Sequence, residues 1–443
     1  MCSLAAWWLS GGAGAAQGET TESRGAPRPA LAPLAALAAQ AGSEAPVGRL
    51  IASPEAGWPQ WRGPRRDSIS DEKGLLQAWP EGGPKLLWKV PDLGRGWSSP
   101  IITQGTLYIT GDVGEDLVVY AFDLGGKPRW QAKNGAAWKG SYPGARACLA
   151  ASEGRLYHMN AHGRAACLDA RTGQELWAVN TLERFEGRNI TWAIAECLLV
   201  DGPRVIVTPG GRKGMMAALD KKTGDTVWTS EPIAGDKASY SSPILFEFGG
   251  RRHLVNFSSR HAFGVDADTG KLRWTVECAN RYEVNVSTPM YADGAVFLVA
   301  PDGPDASLLR LNVQGDQVRV ERAWANDLDT LTGGVVLVDG RIYGSGYRSF
   351  RGWRCLDWKT GETKWETRDL DSGSALWADG RLYLLGESGT AALARPTPAG
   401  LEFCGRFDLV TKKQDAWTHP VILDGRLYLR YHGTLWCYDV KGQ

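Results

Sequence analysis

The 443-residue chain carries 50 Lys and Arg against 49 Asp and Glu, a formal net charge of +1, so no field of one sign draws it to nucleic acid or to an anionic membrane surface. It is 43% hydrophobic with 55 Gly and 20 Trp, which excludes a disordered chain and fits a large, turn-rich β core. No apolar run reaches the roughly 18 residues that a membrane-spanning helix needs, so no transmembrane span is expected.

Residues 1–45 read as an export signal and flexible linker. Arg24 and Arg28 precede an apolar stretch from Ala30 to Ala39, and Ala39-Gln40-Ala41 fits a small-residue cleavage site. Leu4 to Leu9 offers a second signal, ending near Ala16, and a plain flexible tail is the remaining reading. The expectation is an exported protein of the periplasm or cell envelope. Residues 46–82 form a lead-in containing Trp58-Pro59-Gln60-Trp61-Arg62-Gly63-Pro64 and Trp79-Pro80-Glu81-Gly82-Gly83-Pro84.

From residue 83 the chain repeats itself. An Asp, a Thr-Gly turn and a Trp recur at one internal spacing: Asp169, Thr172-Gly173 and Trp177; Asp220, Thr223-Gly224 and Trp228; Asp266, Thr269-Gly270 and Trp274; Asp357, Thr360-Gly361 and Trp365. A degenerate copy ends at Trp130, and Trp88, Trp324 and Phe407 mark three weaker ones. Successive markers lie 42, 47, 51, 46, 50, 41 and 42 residues apart, one four-stranded blade per interval. Upstream of most markers an Asp-Gly pair between apolar residues, as at Gly202, Gly340, Gly380 and Gly425, signals the hairpin joining the first two strands. The last unit, ending at Tyr438-Asp439, lacks an outer strand, whereas Lys85 to Val90 is an outer strand without a blade. The fold class is therefore all-β: an eight-bladed propeller over residues 83–443, closed by its N-terminal strand, which leaves no open seam.

The eight cysteines are scattered, with no CxxC and no adjacent pair, which argues against a zinc ribbon or redox motif. Cys167, Cys355 and Cys437 read as core packing residues. Cys148 and Cys197 fall on consecutive repeats, where they can approach one another. No Gly-x-Ser-x-Gly elbow, HExxH, P-loop or dinucleotide fingerprint sits where its mechanism needs it.

These repeats resemble the quinoprotein propeller superfamily, whose tryptophan-docking motif staples neighbouring blades; Trp88, Trp130, Trp177, Trp228, Trp274 and Trp365 fall at that position. The lead-in and the recurrent Ser-Ser-Pro before the inner strands are similar to exported PQQ-binding-like repeat proteins and to the BamB-like scaffolds. The resemblance implies either a non-catalytic module binding a protein or polymer partner, without a cofactor, or a dehydrogenase that oxidises an alcohol or sugar with PQQ and calcium. The chain departs from the dehydrogenases in lacking their vicinal disulfide. A monomer is expected.

Irregular loops on a rigid scaffold are where propellers place function. Loops of one face present Arg146, Arg260 and Arg281, read as three consecutive junctions, beside the aromatic rings Trp97, Trp192 and Trp417 and the imidazole of His419. Flat rings and planar guanidiniums suit an anionic planar or extended ligand. Solvated loop charge and inter-blade packing are the bland alternatives. Glu196 and Asn285 are candidate calcium ligands by residue type and position alone.

Overall fold

The computed structural model describes residues 48–303, 305–411, 413 and 415–442; the expected export signal lies outside them. Eight four-stranded antiparallel sheets succeed one another, covering residues 101–136, 150–180, 199–229, 244–277, 290–326, 335–367 and 373–408 as blades 1 to 7. Blade 8 combines Val421–Leu423, Arg426–Tyr431 and Thr434–Asp439 with β3 (Lys85–Val90), which pairs Lys85 with Asp439 and Val90 with Leu435. The ring closes on its N-terminal strand, as the unpaired ends of the repeat require. Thr181–Phe185, capped by the Asn180 side chain, is a single short helix.

Local chemistry accounts for the turns. At Asp339-Gly340, Asp379-Gly380 and Asp424-Gly425 both residues take positive φ, between 46° and 77°, the geometry that matches strand twist and that Asp and Gly tolerate. The turn predicted at Asp201-Gly202 differs. Asp201 pairs with Arg204, so the turn residues are Gly202 and Pro203: Gly202 supplies a positive φ of 56° at the first position, and Pro203 holds a negative φ at the second. In the outer turns the Asp carboxylate holds the loop: Asp169 Oδ1 accepts from Arg171 N, Thr172 N and Thr172 Oγ1 at 3.1, 2.8 and 2.8 Å.

Between blades, a tryptophan ring lies over the glycine of the next blade's outer turn. A Cβ on Gly126, Gly173, Gly224, Gly270 or Gly361 would come within 2.5–2.9 Å of Trp88, Trp130, Trp177, Trp228 or Trp324. Phe407 meets Gly83, since the outer strand of blade 8 begins there. Trp274 and Trp365 meet no such glycine. The blades after them carry elongated outer hairpins, Ala306–Gln314 with Gln317–Asn326 and Thr390–Thr397 with Gly400–Asp408, in place of the Asp-x-x-Thr-Gly turn; Trp274 lies instead on Gly264 of its own blade.

The Ser-Ser-Pro segments and their variants form a belt at the start of the inner strands. Ser99 N donates to Cys148 Sγ, Cys148 N to Cys197 Sγ, Cys197 N to Ser242 Oγ and His419 N to Ser99 Oγ, at 2.9–3.1 Å. Cys148 and Cys197 are thus neighbours, as their spacing suggested, but both are free thiols used as acceptors.

The lead-in fills the axis. β1 (Arg49–Leu50) pairs with the inner strand of blade 4 and β2 (Ile69–Ser70) with that of blade 7. Between them Trp58 exchanges backbone bonds with Ile102 of blade 1, and Pro59 O accepts from Ala151 N of blade 2. Arg66 donates to Cys197 O and Leu198 O before blade 3 at 2.7 and 3.0 Å, and Trp61 Nε1 to Thr288 Oγ1 before blade 5 at 3.0 Å. Arg62 donates to Val335 O of blade 6, and the Trp61 ring lies 4.5 Å from His419, which leads into blade 8. One short segment can reach all eight blades only from the centre.

Candidate functional site

The axial guanidiniums set what the channel can accept. Arg62 and Arg66 are each 4% exposed, and burial lowers both to a pKa of about 10. Arg62 Nε bonds Ser68 Oγ at 2.8 Å, so both fork-shaped side chains spend donors on main-chain carbonyls and short side chains of the protein itself. Neither makes an ion pair among the described residues. Apart from Arg66 Nε, which is buried without a partner among the described residues, this is a hydrogen-bonded structural plug, and its tip, Trp61 and Arg62, stands level with the belt at the mouth.

Around that tip, on the face of the irregular loops, the junctions from blade 7 through blades 8 and 1 to blade 2 gather aromatic and titratable groups. Trp97 and Trp417 lie 5.3 Å apart between ring centroids, Tyr142 sits 5.4 Å from Trp417, and His432 meets Trp97 edge-on at 5.3 Å. The Arg146 guanidinium lies 5.4 Å from the Trp97 ring and 5.6 Å from Trp138, a cation–π sandwich; burial lowers its pKa to about 10. Tyr142 is 48% exposed and holds φ at 53°, unusual strain for an aromatic residue and a mark of function where it persists. Asp415 bonds both Tyr431 Oη and His432 Nε2 at 2.8 Å, and these bonds hold its carboxyl below the usual range against the desolvation that raises it.

Three acids here or nearby depart from ordinary behaviour. Burial, assisted by Asp371, raises Glu387 to about 7, and its carboxylate faces Thr332 Oγ1 at 3.4 Å. Thr332 O accepts from His419 Nε2 at 2.9 Å; that bond fixes the Nε2–H tautomer, and burial lowers the imidazole to about 3. Asp112 is raised to about 6, again chiefly by burial, although Trp138 N donates to it at 2.9 Å. Glu196, inside blade 3, is raised to about 7.

Of the residues singled out in the sequence, Trp97, Arg146, Trp417 and His419 come together at this junction. Trp192 packs on Tyr240, with 6.0 Å between ring centroids and its main-chain N–H donating to the Tyr240 hydroxyl at 3.3 Å. Arg146 leads into blade 2, whereas Arg260 lies between the second and third strands of blade 4 and Arg281 follows its outer strand, so the three are not consecutive junctions; Arg260 is exposed and Arg281 lies over Tyr282 at 5.2 Å. Other rim cations are paired: Arg212 and Lys213 with Glu186, Arg348 with Asp302. Glu196 accepts from Thr208 N and Oγ1 at 2.8 and 2.6 Å, while Asn285 donates to Ser258 O and Ser259 O. Both are committed to the fold, and no cluster of metal-ligating side chains occurs among the described residues.

Sequence reading missed Glu387, Asp415, His432 and the axial Arg62 and Arg66. The Trp-Pro-Gln-Trp-Arg-Gly-Pro run was visible, but nothing in it told that it enters the channel.

A flat tricarboxylate such as PQQ would need an open slot with available cations on the axis. Trp61 and Arg62 occupy that level, and Arg62 and the two terminal nitrogens of Arg66 are bonded to the protein, which leaves only the enclosed Arg66 Nε without a partner. These residues do not fit an axial quinone.

A family model described as outer membrane protein assembly factor BamB matches residues 115–367. Outer membrane protein assembly factor BamB of Yersinia pestis is 23% identical over 288 residues, 60% of this chain and 66% of that protein. Quinohemoprotein alcohol dehydrogenase ADH-IIG of Pseudomonas putida is 30% identical over 161 residues, 34% of this chain but 22% of the enzyme. The chain thus spans from about a fifth to just under two thirds of these relatives. Among solved structures, BamB from Moraxella catarrhalis aligns with a TM-score of 0.56 at 16% identity, covering 81% of this chain and 98% of that one. Quinohemoprotein alcohol dehydrogenase from Comamonas testosteroni aligns with a TM-score of 0.58 at 15% identity, covering 87% and 81%; at such identities the likeness shows the fold.

Proposed function

The chain belongs to the family described as outer membrane protein assembly factor BamB, and from that premise we propose that it is an exported, non-catalytic propeller that holds a protein partner in the cell envelope. The observation that carries this reading is the filled axis: a lead-in bonded to every blade leaves the rim as the binding surface. The rim of blades 8, 1 and 2 has the composition of an interface hot spot, Tyr142, Trp417, Trp97 and Trp138 around Arg146. The tryptophans over the next blade's glycine act as docking staples, which keep that surface rigid.

The test substitutes Tyr142, Arg146 and Trp417 by Ala, singly, and measures cross-linking to envelope proteins with a photoreactive group at the exposed Arg95. One discrete adduct in the parent, lost in at least two variants that keep the parental melting temperature, is the expected outcome. An adduct pattern unchanged by all three removes the rim from the reading.

A second reading, a PQQ-dependent dehydrogenase of an alcohol or sugar, is favoured by one observation: Glu387, a carboxyl poised near neutrality at the mouth, has the character of a general base. Quinone-dependent dye reduction by the purified protein with PQQ, calcium and a panel of alcohols and aldoses would overturn the scaffold reading. Its absence, with no saturable quinone absorbance, is expected.

A further inference from the structure

On the opposite face, where the outer turns lie, regular junctions share one hydrogen-bonding device. The Tyr108 hydroxyl and Trp130 Nε1 both donate to Ala170 O, at 3.0 and 3.1 Å. The Tyr157 hydroxyl and Trp177 Nε1 both donate to Lys221 O, each at 3.1 Å. Ala170 and Lys221 stand three residues before Gly173 and Gly224, the glycines beneath the two tryptophan rings. Two convergent donors thus read one main-chain carbonyl, and the ring above reads the absence of a side chain.

Blade 6 carries the same pair of donors without the turn. Tyr343 and Trp365 lie 6.0 Å apart between centroids, against 5.8 and 6.1 Å for the two filled pairs. Blade 7 presents the tip of its elongated hairpin, where Thr397 pairs with Gly400, and no main-chain carbonyl meets either donor among the described residues. A cleft of about 380 Å³ remains, lined by Tyr343, Trp365, Lys364, Arg341 and the 396–398 tip. Arg341 occupies the position of Arg155, which donates to Lys222 O of the next blade; here it closes on Asp357 of its own blade instead. The side chains are pre-arranged for an occupant that the next blade does not supply, and such pre-organisation lowers the cost of binding one from outside.

We propose that this cleft docks a glycine turn of a partner protein, of the Asp-x-x-Thr-Gly kind that fills the equivalent place between the regular blades. Its main-chain carbonyl takes the Trp365 indole N–H and the Tyr343 hydroxyl, and its glycine lies beneath the Trp365 ring. Glycine is required because a Cβ at Gly173 or Gly224 would stand 2.6 or 2.8 Å from the covering ring. Arg341 and Lys364 at the edge are already paired with Asp357 and Glu362, so recognition rests on the carbonyl and the glycine. The site is independent of the rim on the other face.

The experiment uses the full chain labelled with ¹⁵N-tryptophan, the Trp365 indole signal being assigned by its loss in Trp365→Phe. The probe is a disulfide-cyclised peptide presenting Leu-Asp-Ala-Arg-Thr-Gly-Gln-Glu. The Trp365 signal should move and saturate. Tyr343→Phe should weaken binding about fivefold, the equivalent of one neutral hydrogen bond, and the peptide with Ala for Gly should leave the signal in place. A Trp365 signal unmoved at millimolar peptide, or moved equally by the Ala peptide, overturns the proposal. If Trp365→Phe misfolds, the loss of one indole signal in Trp365→Tyr supplies the assignment independently of the peptide, so both outcomes stay readable.

Discussion

At the residue scale, the buried acids make the protein sensitive to pH in a defined window. Glu196 is held at about 7 against an ordinary value of 4.5, chiefly by burial, so the folded state binds a proton that the unfolded state has released between those values. Stability therefore falls as pH rises through that window, by up to about 3 kcal/mol for a shift of this size. The carboxylates held low, such as Asp316 at about 2, act below it. Melting temperature should drop between pH 5 and pH 8 in the parent and drop less in Glu196→Gln, which keeps an acceptor for Thr208 without a charge. Equal slopes in parent and variant would show that burial does not control this group.

Glycines separate two costs that are usually mixed. Gly173 and Gly380 have nearly the same φ, 76° and 77°, yet a Cβ on Gly173 meets the Trp130 ring at 2.6 Å and one on Gly380 meets nothing within 4 Å. Ala at Gly380 should cost about 1 kcal/mol, the backbone term alone. Ala at Gly173 should cost roughly 2–4 kcal/mol because the ring must also move. Denaturant unfolding of the two variants measures the difference directly; equal losses would mean that the ring gives way freely.

At the element scale, the outer turn decides how adjacent blades are joined. Its signature could be read at four places because Asp, Thr and Gly each have a local reason to be there. The junctions after Trp274 and Trp365 were not legible in the same way, since an elongated hairpin differs from a staple only in where its turn falls relative to the preceding blade. β3 carries the same lesson in reverse: its pairing with Thr434–Asp439 spans the chain, yet it was legible, because a propeller with one strand missing and one strand spare has a single economical solution. Removing residues 83–90 should expose the edge of Thr434–Asp439 and drive aggregation, seen by light scattering and size exclusion; a truncated protein that stays monomeric with an unchanged melting temperature would show the strand to be dispensable.

On the scale of the whole molecule, the lead-in is the axle. Trp58, Leu75 and Trp79 are buried at 3%, 3% and 7% exposure, and Arg62 and Arg66 bond to blades 130 and more residues away in sequence. Replacing Trp61 and Arg62 together by Ala should lower the melting temperature by at least about 5 °C, on the few kcal/mol that a half-buried aromatic ring and the hydrogen bonds to Thr288, Ser68 and Val335 represent. The same variant should leave blade-by-blade secondary structure intact by circular dichroism. A protein equally stable without them would mean that the axis needs no plug.

The sequence by itself determined the number of blades, their turns and the closure of the ring, because each rests on a local rule: alternating hydrophobicity, positive φ at Asp-Gly, a fixed Asp-to-Trp spacing. It also drew attention to Trp97, Arg146, Trp417 and His419, residues too large or polar for a simple loop. Only the tertiary structure decided that these four share one junction while Arg260 and Arg281 belong to blade 4, that Glu387 and Asp415 join them, and that Arg62 and Arg66 fill the centre. Those are relations between residues far apart in the chain. Their energies come from burial and from main-chain carbonyls that exist as a set only after eight blades have closed around one segment, and no local pattern encodes which carbonyl a guanidinium will find.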